Sequence, residues 1–315
     1  MRSTMCYSAQ ITANYKKFVR QHGAIMGLKE FAELLLADSK KKGKGRMPKA
    51  MEEWFRDADS PQERDIWNLI QAQRQARELE LQQEMFKQAK RLADAERALQ
   101  TKVTKKAQDD QRIARGKVEK LRGDLADLRR HDSQARDFRF FPGNYAPLLV
   151  AENEQLVVYP MRYQCRLPGW TEAIERKYPG TYNARRDSLA KSWSLLFGYQ
   201  HGLLIVDTFY ENVQGADGKN QVLQFTPRTG EPMLVPCLWN RSVDPRGEDP
   251  DLLSFAAITD EPEPEVAATG HDRTIINLKP EHVQAWLHPD PEQLEEQYRI
   301  LDDRQHPYYE WQEAA

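Results

Sequence analysis

Two features of this chain could carry covalent chemistry: a cysteine at its start and a set of polar residues in its second half. Cys6 follows Met5. If translation starts at Met5, or the residues before Cys6 are trimmed, the α-amine and thiol of Cys6 lie on adjacent carbons. The amine titrates near pH ~8 and the thiol near ~8.5, so both are partly nucleophilic at neutral pH. Amine and thiol can attack an aldehyde in turn and close a five-membered thiazolidine ring. With residues 1–4 retained, no free 1,2-aminothiol exists, so those residues are expected to be a mis-assigned start. Downstream lie Asn144-Tyr145-Ala146-Pro147, Asn183-Ala184-Arg185 after Tyr182, Asp207–Glu211 and Gly270-His271-Asp272-Arg273. They hold the amide, carboxylate, imidazole and guanidinium groups that an aldehyde-capturing site needs. Each also has an ordinary reading. Cys6 is then a thiol in a frayed terminus, Asn183 a turn cap, Glu211 a solvated acid, and His271 with Asp272 a structural pair.

The elements that must position these residues are of two kinds. At 315 residues, 40% hydrophobic and 30% charged, the chain can form one large domain or two smaller ones. The net charge of −2 makes any nucleic-acid surface a local one. Cys6, Cys165 and Cys237, an odd and widely spaced set, argue against a disulfide framework or a zinc site and fit a reducing cytosol. No cofactor or metal is expected. No run of 18 apolar residues occurs, so neither secretion nor a membrane span is expected.

Tyr7–Thr12 alternates like a strand. From Tyr15 to about Phe55 the pattern is helical (Phe18, Ile25, Leu28, Phe31, Leu34–Leu36), interrupted by the basic run Lys40–Lys49, read as a solvated loop. Ser60-Pro61 reads as an N-cap with proline at the first helical position. No further proline occurs before Pro142. Met85, Ala89, Leu92, Leu99 and Val103, then Val118, Leu121, Leu125 and Leu128, form a heptad-like seam, weakened by Gly116 and Gly123. The spacing predicts an antiparallel hairpin or a dimeric coiled coil over about 61–136. Residues 101–136 hold eleven Lys/Arg against six Asp/Glu, a solvated face that could also serve as a basic arm near nucleic acid. After Asp137 strands are expected at 148–159 (two, around Glu152-Asn153-Glu154), 203–209, 221–225, 232–239, 253–259 and 271–278. Residues 260–265 form an acidic loop. Helices follow Lys279-Pro280 and start again near Glu292, ahead of a polar tail.

In order and spacing these pieces resemble the SOS-response-associated peptidase (SRAP), or abasic-site-processing, family. That family shows an initiator Met-Cys, N-x-A-P, a basic stretch ending in P-x-W, N-A-R, F-Y/F-E-W and H-D-R-M-P. Here they read Met5-Cys6, Asn144–Pro147, Met161-Arg162 to Leu167-Pro168-Gly169-Trp170, Asn183–Arg185, Phe209-Tyr210-Glu211 and His271–Arg273. Leu278–Pro289 is similar to the segment that follows the family's histidine. The resemblance covers residues 5–12 and about 140–310. There are departures. The family's Met-Cys-Gly-Arg is Met5-Cys6-Tyr7-Ser8, its tryptophan after the glutamate is Asn212, its Met-Pro is Thr274-Ile275, and Tyr163–Trp170 is one residue longer.

The resemblance implies an α+β fold: a compact mixed-β domain of curved antiparallel, barrel-like sheets with flanking helices (5–14 plus 138–310), interrupted by a helical insertion (15–137). It also implies binding of single-stranded DNA and covalent capture of abasic sites, in the SOS response of the cytoplasm. Cys6 would form the linkage, with Glu211 and His271 as proton carriers and Asn183 as a hydrogen-bonding group. Arg162, Arg185 and Arg273 would meet phosphates, and Trp170 and Tyr182 would stack on bases. Self-processing peptidase and weak lyase activity are implied too. Two other readings use the same residues differently. In one, Cys6, His271 and Glu211 make a cysteine peptidase acting on proteins. In the other, the insertion is the functional part, for self-association or a protein partner, beside a degenerate domain.

Overall fold

The computed structural model describes residues 8–12, 19–20, 23–38, 47–215, 217–243 and 251–314. Met5, Cys6 and most of the Lys40–Lys49 run lie outside them. The described residues divide into two compact units, one drawn from 1–63 and 135–315, the other from 64–134.

The first unit is a mixed α+β body around one twelve-stranded sheet. Its strands are β1 Ser8–Ile11, β2 Ile25–Met26, β3 Arg139–Phe140, β4 Tyr145–Glu152, β5 Gln155–Tyr163, β6 Asn183–Arg185, β7 His201–Gln214, β8 Asn220–Pro227, β9 Met233–Ser242, β10 Leu252–Asp260, β11 Thr274–Ile275 and β12 Tyr309–Glu313. Five of them close a ring: β5 pairs β4, β4 pairs β7, β7 pairs β9, β9 pairs β10, and β10 returns to β5. The return pair is parallel, as are β2 on β5 and β6 on β10, so this is a ring of strands rather than a clean antiparallel barrel. The 14-residue β7 is long enough to serve the ring with its first half and to carry β1 and β8 on its second.

Local chemistry accounts for the joints. In the β4–β5 turn both Asn153 (φ 51) and Glu154 (φ 62) are left-handed, as a two-residue turn matched to strand twist requires. Leu148, Val150, Val235 and Phe255 on one face of the ring, and Leu203, Ile205 and Leu238 on the other, are at most 1% exposed, so both faces are held by burial of apolar area. A second cluster stacks Phe209 on Phe225 at 4.9 Å, with Tyr309 edge-on to Phe209 at 5.0 Å. Three expectations need correction. Ile25 begins a short strand on β5 instead of a helix, because its register partner Val157 offers a ladder. The expected strand 271–278 shrinks to β11, since only Thr274 and Ile275 pair with β10. The polar tail forms β12, because Tyr309 reaches the aromatic cluster and the backbone pairs with β8.

The flanking helices of this unit include α1 (Leu28–Asp38) and α2 (Lys49–Glu53), where Phe31 meets Phe55 edge-on at 5.2 Å. The other unit is built from α3 (Pro61–Thr101) and α4 (Lys105–Arg129), joined by Lys102–Thr104. α3 opens on a capping box: the Ser60 hydroxyl accepts from the Glu63 amide at 3.2 Å, and Glu63 accepts from the Ser60 amide at 3.0 Å. Arg91 pairs with Asp110 near the turn and Arg129 with Glu78 farther from it (2.5 Å), the pattern of an antiparallel pair. The seam of α3 buries Leu81, Gln88 and Ala95 and half-buries Met85, Leu92 and Leu99, while Ala89 is exposed. α4 buries Ala107, Ala114, Val118 and Leu125. Gly116 and Gly123 do not interrupt it. Among the described residues, no helix is long and apolar enough to cross a membrane.

Candidate functional site

The site is assembled by two strands. β10 carries β6 parallel on one side, Ala257 opposite Asn183, and β11 antiparallel, Thr259 opposite Ile275. The Asn-Ala-Arg and His-Asp-Arg segments are thereby brought to the same end of β10. β7 supplies Glu211, opposite Leu223 of β8 and fully buried. Gly270 (φ 85) turns the chain after a short helix at Pro264–Ala267 and sends His271 inward.

The result is a buried acid–imidazole pair. His271 Nε2 lies 3.1 Å from Glu211 Oε2, and neither side chain is exposed. The pair is close, although its alignment falls short of a good hydrogen bond. Nδ1 faces the Arg273 carbonyl at 2.8 Å and the Arg273 amide at a longer 3.3 Å. The shorter contact favours Nδ1 as the donor, which leaves Nε2 facing the Glu211 carboxylate. A proton placed between Nε2 and Oε2 would offset the buried carboxylate's charge, and handing it on would leave one negative charge until the proton returns.

Asn183 is buried on β6, and its Oδ1 accepts from the Tyr163 hydroxyl at 3.1 Å. Tyr163 is held by Phe255 (5.3 Å, stacked) and meets Tyr182 edge-on at 5.7 Å. Asn144 shapes the preceding turn, its Oδ1 accepting from the Phe141 amide at 3.0 Å. Arg185 is exposed and pairs with Asp187 at 2.5 Å. That bond, reinforced by the nearby Arg273, holds the Asp187 carboxyl below its usual range. Arg273 is 7% exposed, with its Nε buried. Trp170 packs on Tyr178 at 5.4 Å, outside this cluster of contacts.

Arg162 faces inward. Its Nη2 pairs with Glu175 and its Nε donates to the Gln164 carbonyl at 3.2 Å, while Arg166 takes the other Glu175 oxygen at 2.9 Å. Two guanidiniums share one carboxylate, which leaves a local positive charge and ties down the loop leading to Trp170. Glu175 had no signal in the sequence beyond being an acid in a helix.

A second residue without a motif is Arg139. Its guanidinium sits 3.6 Å over the Tyr210 ring and donates to Ser8 Oγ at 3.1 Å. Ser8 pairs with Tyr210, the residue before Glu211. Ser8 is also where the family motif has its arginine, so a guanidinium from another segment stands against that position. Burial and the Arg139 charge pull the Tyr210 hydroxyl in opposite directions. Burial wins and its pKa is raised.

The two described cysteines are buried. Desolvation pushes the Cys165 thiol up to about 12 and the Cys237 thiol well above its ordinary value. Neither is a nucleophile at neutral pH. Among the described residues, no group of three or more His, Cys, Asp or Glu side chains could hold a metal ion.

Residues 101–315 match the model of the family described as SOS response associated peptidase (SRAP). The chain therefore belongs to the SRAP family. That span holds the Asn-Ala-Arg, Phe-Tyr-Glu and His-Asp-Arg segments, and leaves Met5-Cys6 outside it. Membership associates the chain with the abasic-site and DNA-damage functions of a peptidase-like family. Solved structures similar to it include a protein from Bordetella bronchiseptica at 17% identity and TM-score 0.47, covering 59% of this chain and 90% of that one. A phage-related protein from the same organism matches at 16% identity and TM-score 0.43, covering 59% and 85%. A protein from Bacteroides thetaiotaomicron matches at 13% identity and TM-score 0.46, covering 56% and 78%. No curated protein matches.

Proposed function

We propose that this protein binds single-stranded DNA and captures abasic sites covalently through Cys6. The observation that carries this reading is the buried Glu211–His271 pair beside the first described strand of the chain. Ser8 pairs with the neighbour of Glu211 on β7, and Cys6 stands two residues ahead of Ser8. The buried state of Cys165 and Cys237 supports Cys6 as the nucleophile.

In the proposed reaction the Cys6 amine adds to the C1′ aldehyde of the ring-opened abasic sugar and forms a carbinolamine. The shared proton of the Glu211–His271 pair goes to the carbinolamine hydroxyl, which leaves as water. The amine's own proton returns to the pair, and an imine remains. The thiol then adds across the C=N bond. Sulfur bonds to carbon, its proton passes to nitrogen, and the thiazolidine closes with one water released overall. Asn183 holds the amine or a sugar hydroxyl. Arg185, Arg273 and the net positive Arg162–Glu175–Arg166 group attract phosphates, and Trp170 and Tyr182 offer stacking faces. Cleavage of the bond before Cys6, which frees the amine, and weak lyase activity through the imine belong to the same reading.

The test uses protein beginning at Cys6 and a single-stranded oligonucleotide with one abasic site. The expected product survives denaturation, and its mass is the sum of the two minus one water. It is absent with Cys6→Ala. Cleavage of peptide substrates without any such product would overturn the reading in favour of a protein-directed peptidase.

A further inference from the structure

The helical hairpin is strongly polarised in charge. Residues 87–106, which span the turn, carry seven Lys/Arg against two Asp/Glu, and the next acids of α4, Asp109 and Asp110, pair with Arg112 and Arg91. Residues 61–80, the other end of α3, carry three Lys/Arg against four Asp/Glu. Both acids of the turn end are already engaged: Asp94 pairs with Arg97, and Glu96 with Arg115 at 3.2 Å. Lys90, Lys102, Lys105 and Lys106 are exposed and, among the described residues, have no carboxylate within ion-pair distance. Two of these lysines occupy the first turn of α4, which holds no acid. A helix N-terminus favours anions, so lysines there oppose the helix dipole. Thr104 caps that turn, accepting from the Ala107 amide at 3.2 Å, so the helix start is well formed with its lysines in place.

We propose that the turn end of the hairpin is a second DNA-binding surface, which takes the phosphate backbone outside the abasic nucleotide. Uncompensated lysines at a helix start fit a dense line of phosphates, since each lysine neutralises one charge and releases its counterion. Contacts from lysine point charges to phosphates position the DNA and read no sequence. This rests on the reading above only in taking DNA as the partner.

The experiment measures binding of the full chain to a duplex without an abasic site, longer than α3 (about 60 Å at a 1.5 Å rise per residue), across a salt series. For Lys102→Glu/Lys105→Glu/Lys106→Glu we expect affinity to fall at least tenfold. The salt slope should flatten by about 2 to 3, the contribution of three phosphates. The melting temperature should hold or rise, because acids suit the start of α4. The matching triple Gln variant, which adds no repulsion, should lose affinity in the same direction. Cys6→Ala should bind like the unaltered chain. The triple Glu variant should still cross-link a short abasic oligonucleotide, so that loss of cross-linking alone reports on Cys6 and not on the hairpin. Unchanged affinity and salt slope in both triple variants, or no duplex binding by the unaltered protein, would overturn the proposal.

Discussion

At the scale of residues, the proposed chemistry rests on one proton shared by the Glu211–His271 pair. If Nε2 of His271 and Oε2 of Glu211 hold it jointly, removing either acceptor should slow cross-linking without preventing DNA binding. Glu211→Gln and His271→Asn are each expected to lower the single-turnover rate about 10²–10⁴-fold. The double variant should be little worse than the poorer single one, because the pair acts as a unit. Additive losses in that cycle would show two independent roles. Thiols give a second prediction. Cys165 and Cys237 are 0% exposed and their pKa values are raised, so a maleimide at neutral pH should label native protein starting at Cys6 once, with all three thiols reacting only after unfolding. The motifs made Asn183, Glu211 and His271 legible in the sequence, because segments of rare composition fell in one order. Arg139 and Glu175 were not legible. Their partners, Ser8 and Tyr210 for one and Arg162 and Arg166 for the other, are distant in the chain or carry no pattern. Arg162 shows the same limit from the other side: its motif marks the position, and only the fold shows that Glu175 occupies its guanidinium.

At the scale of elements, turn chemistry and caps transferred well from sequence to structure, and pairing did not. Ser60, Glu63 and the Glu152–Glu154 turn act through near neighbours, so their signal is local. β12 and β2 exist because a partner strand receives them, which no local pattern encodes. Val118 and Leu125 of the expected seam are buried, but the spacing of apolar residues alone does not say that Gln88 joins it in α3, its amide bonded to Glu84 at 2.7 Å. Glu175 is the joint of the loop that carries Trp170. Replacing it with Ala leaves two partly buried guanidiniums without their carboxylate, and the expected cost is about 3 kcal/mol, the low end for breaking a buried pair because both arginines keep some solvent. Ser60→Ala should cost about 1 kcal/mol, by loss of the capping box. Urea unfolding checks both. Equal effects of the two substitutions would show that the Glu175 joint is no stronger than a surface cap.

At the scale of the whole molecule, the ring of strands is closed over a histidine that cannot take up a proton. His201 opens β7, 2% exposed, stacked at 3.9 Å on Trp286 and at 5.5 Å on Phe197. Its Nε2 accepts from the Gly198 amide at 2.8 Å, and its Nδ1 donates to the Trp286 carbonyl at 3.0 Å. Desolvation by this burial pushes its pKa down to about 3, partly opposed by the bond to Trp286. The unfolded chain binds a proton at this residue below about 6.5, and the folded chain refuses it until about 3. The unfolded state thus holds more protons across that window, and stability falls as the pH falls. Above about 6.5 the contribution is complete. At pH 5 the loss from this one residue is about 2 kcal/mol, at 1.36 kcal/mol per unit. A melting temperature that drops between pH 6.5 and 4.5 is the expected result. In His201→Gln, which holds no titrating ring, that drop should shrink even though the variant starts less stable. A pH dependence identical in both proteins would place the acid sensitivity in the carboxylate ion pairs instead. Trp286 also donates its indole N–H to the Gly202 carbonyl at 2.9 Å, so protonation here strains the residues that begin β7, the strand that carries Glu211. Acid should therefore lower cross-linking in the unaltered chain in part through unfolding. Comparing the rate with the folded fraction at each pH isolates that part.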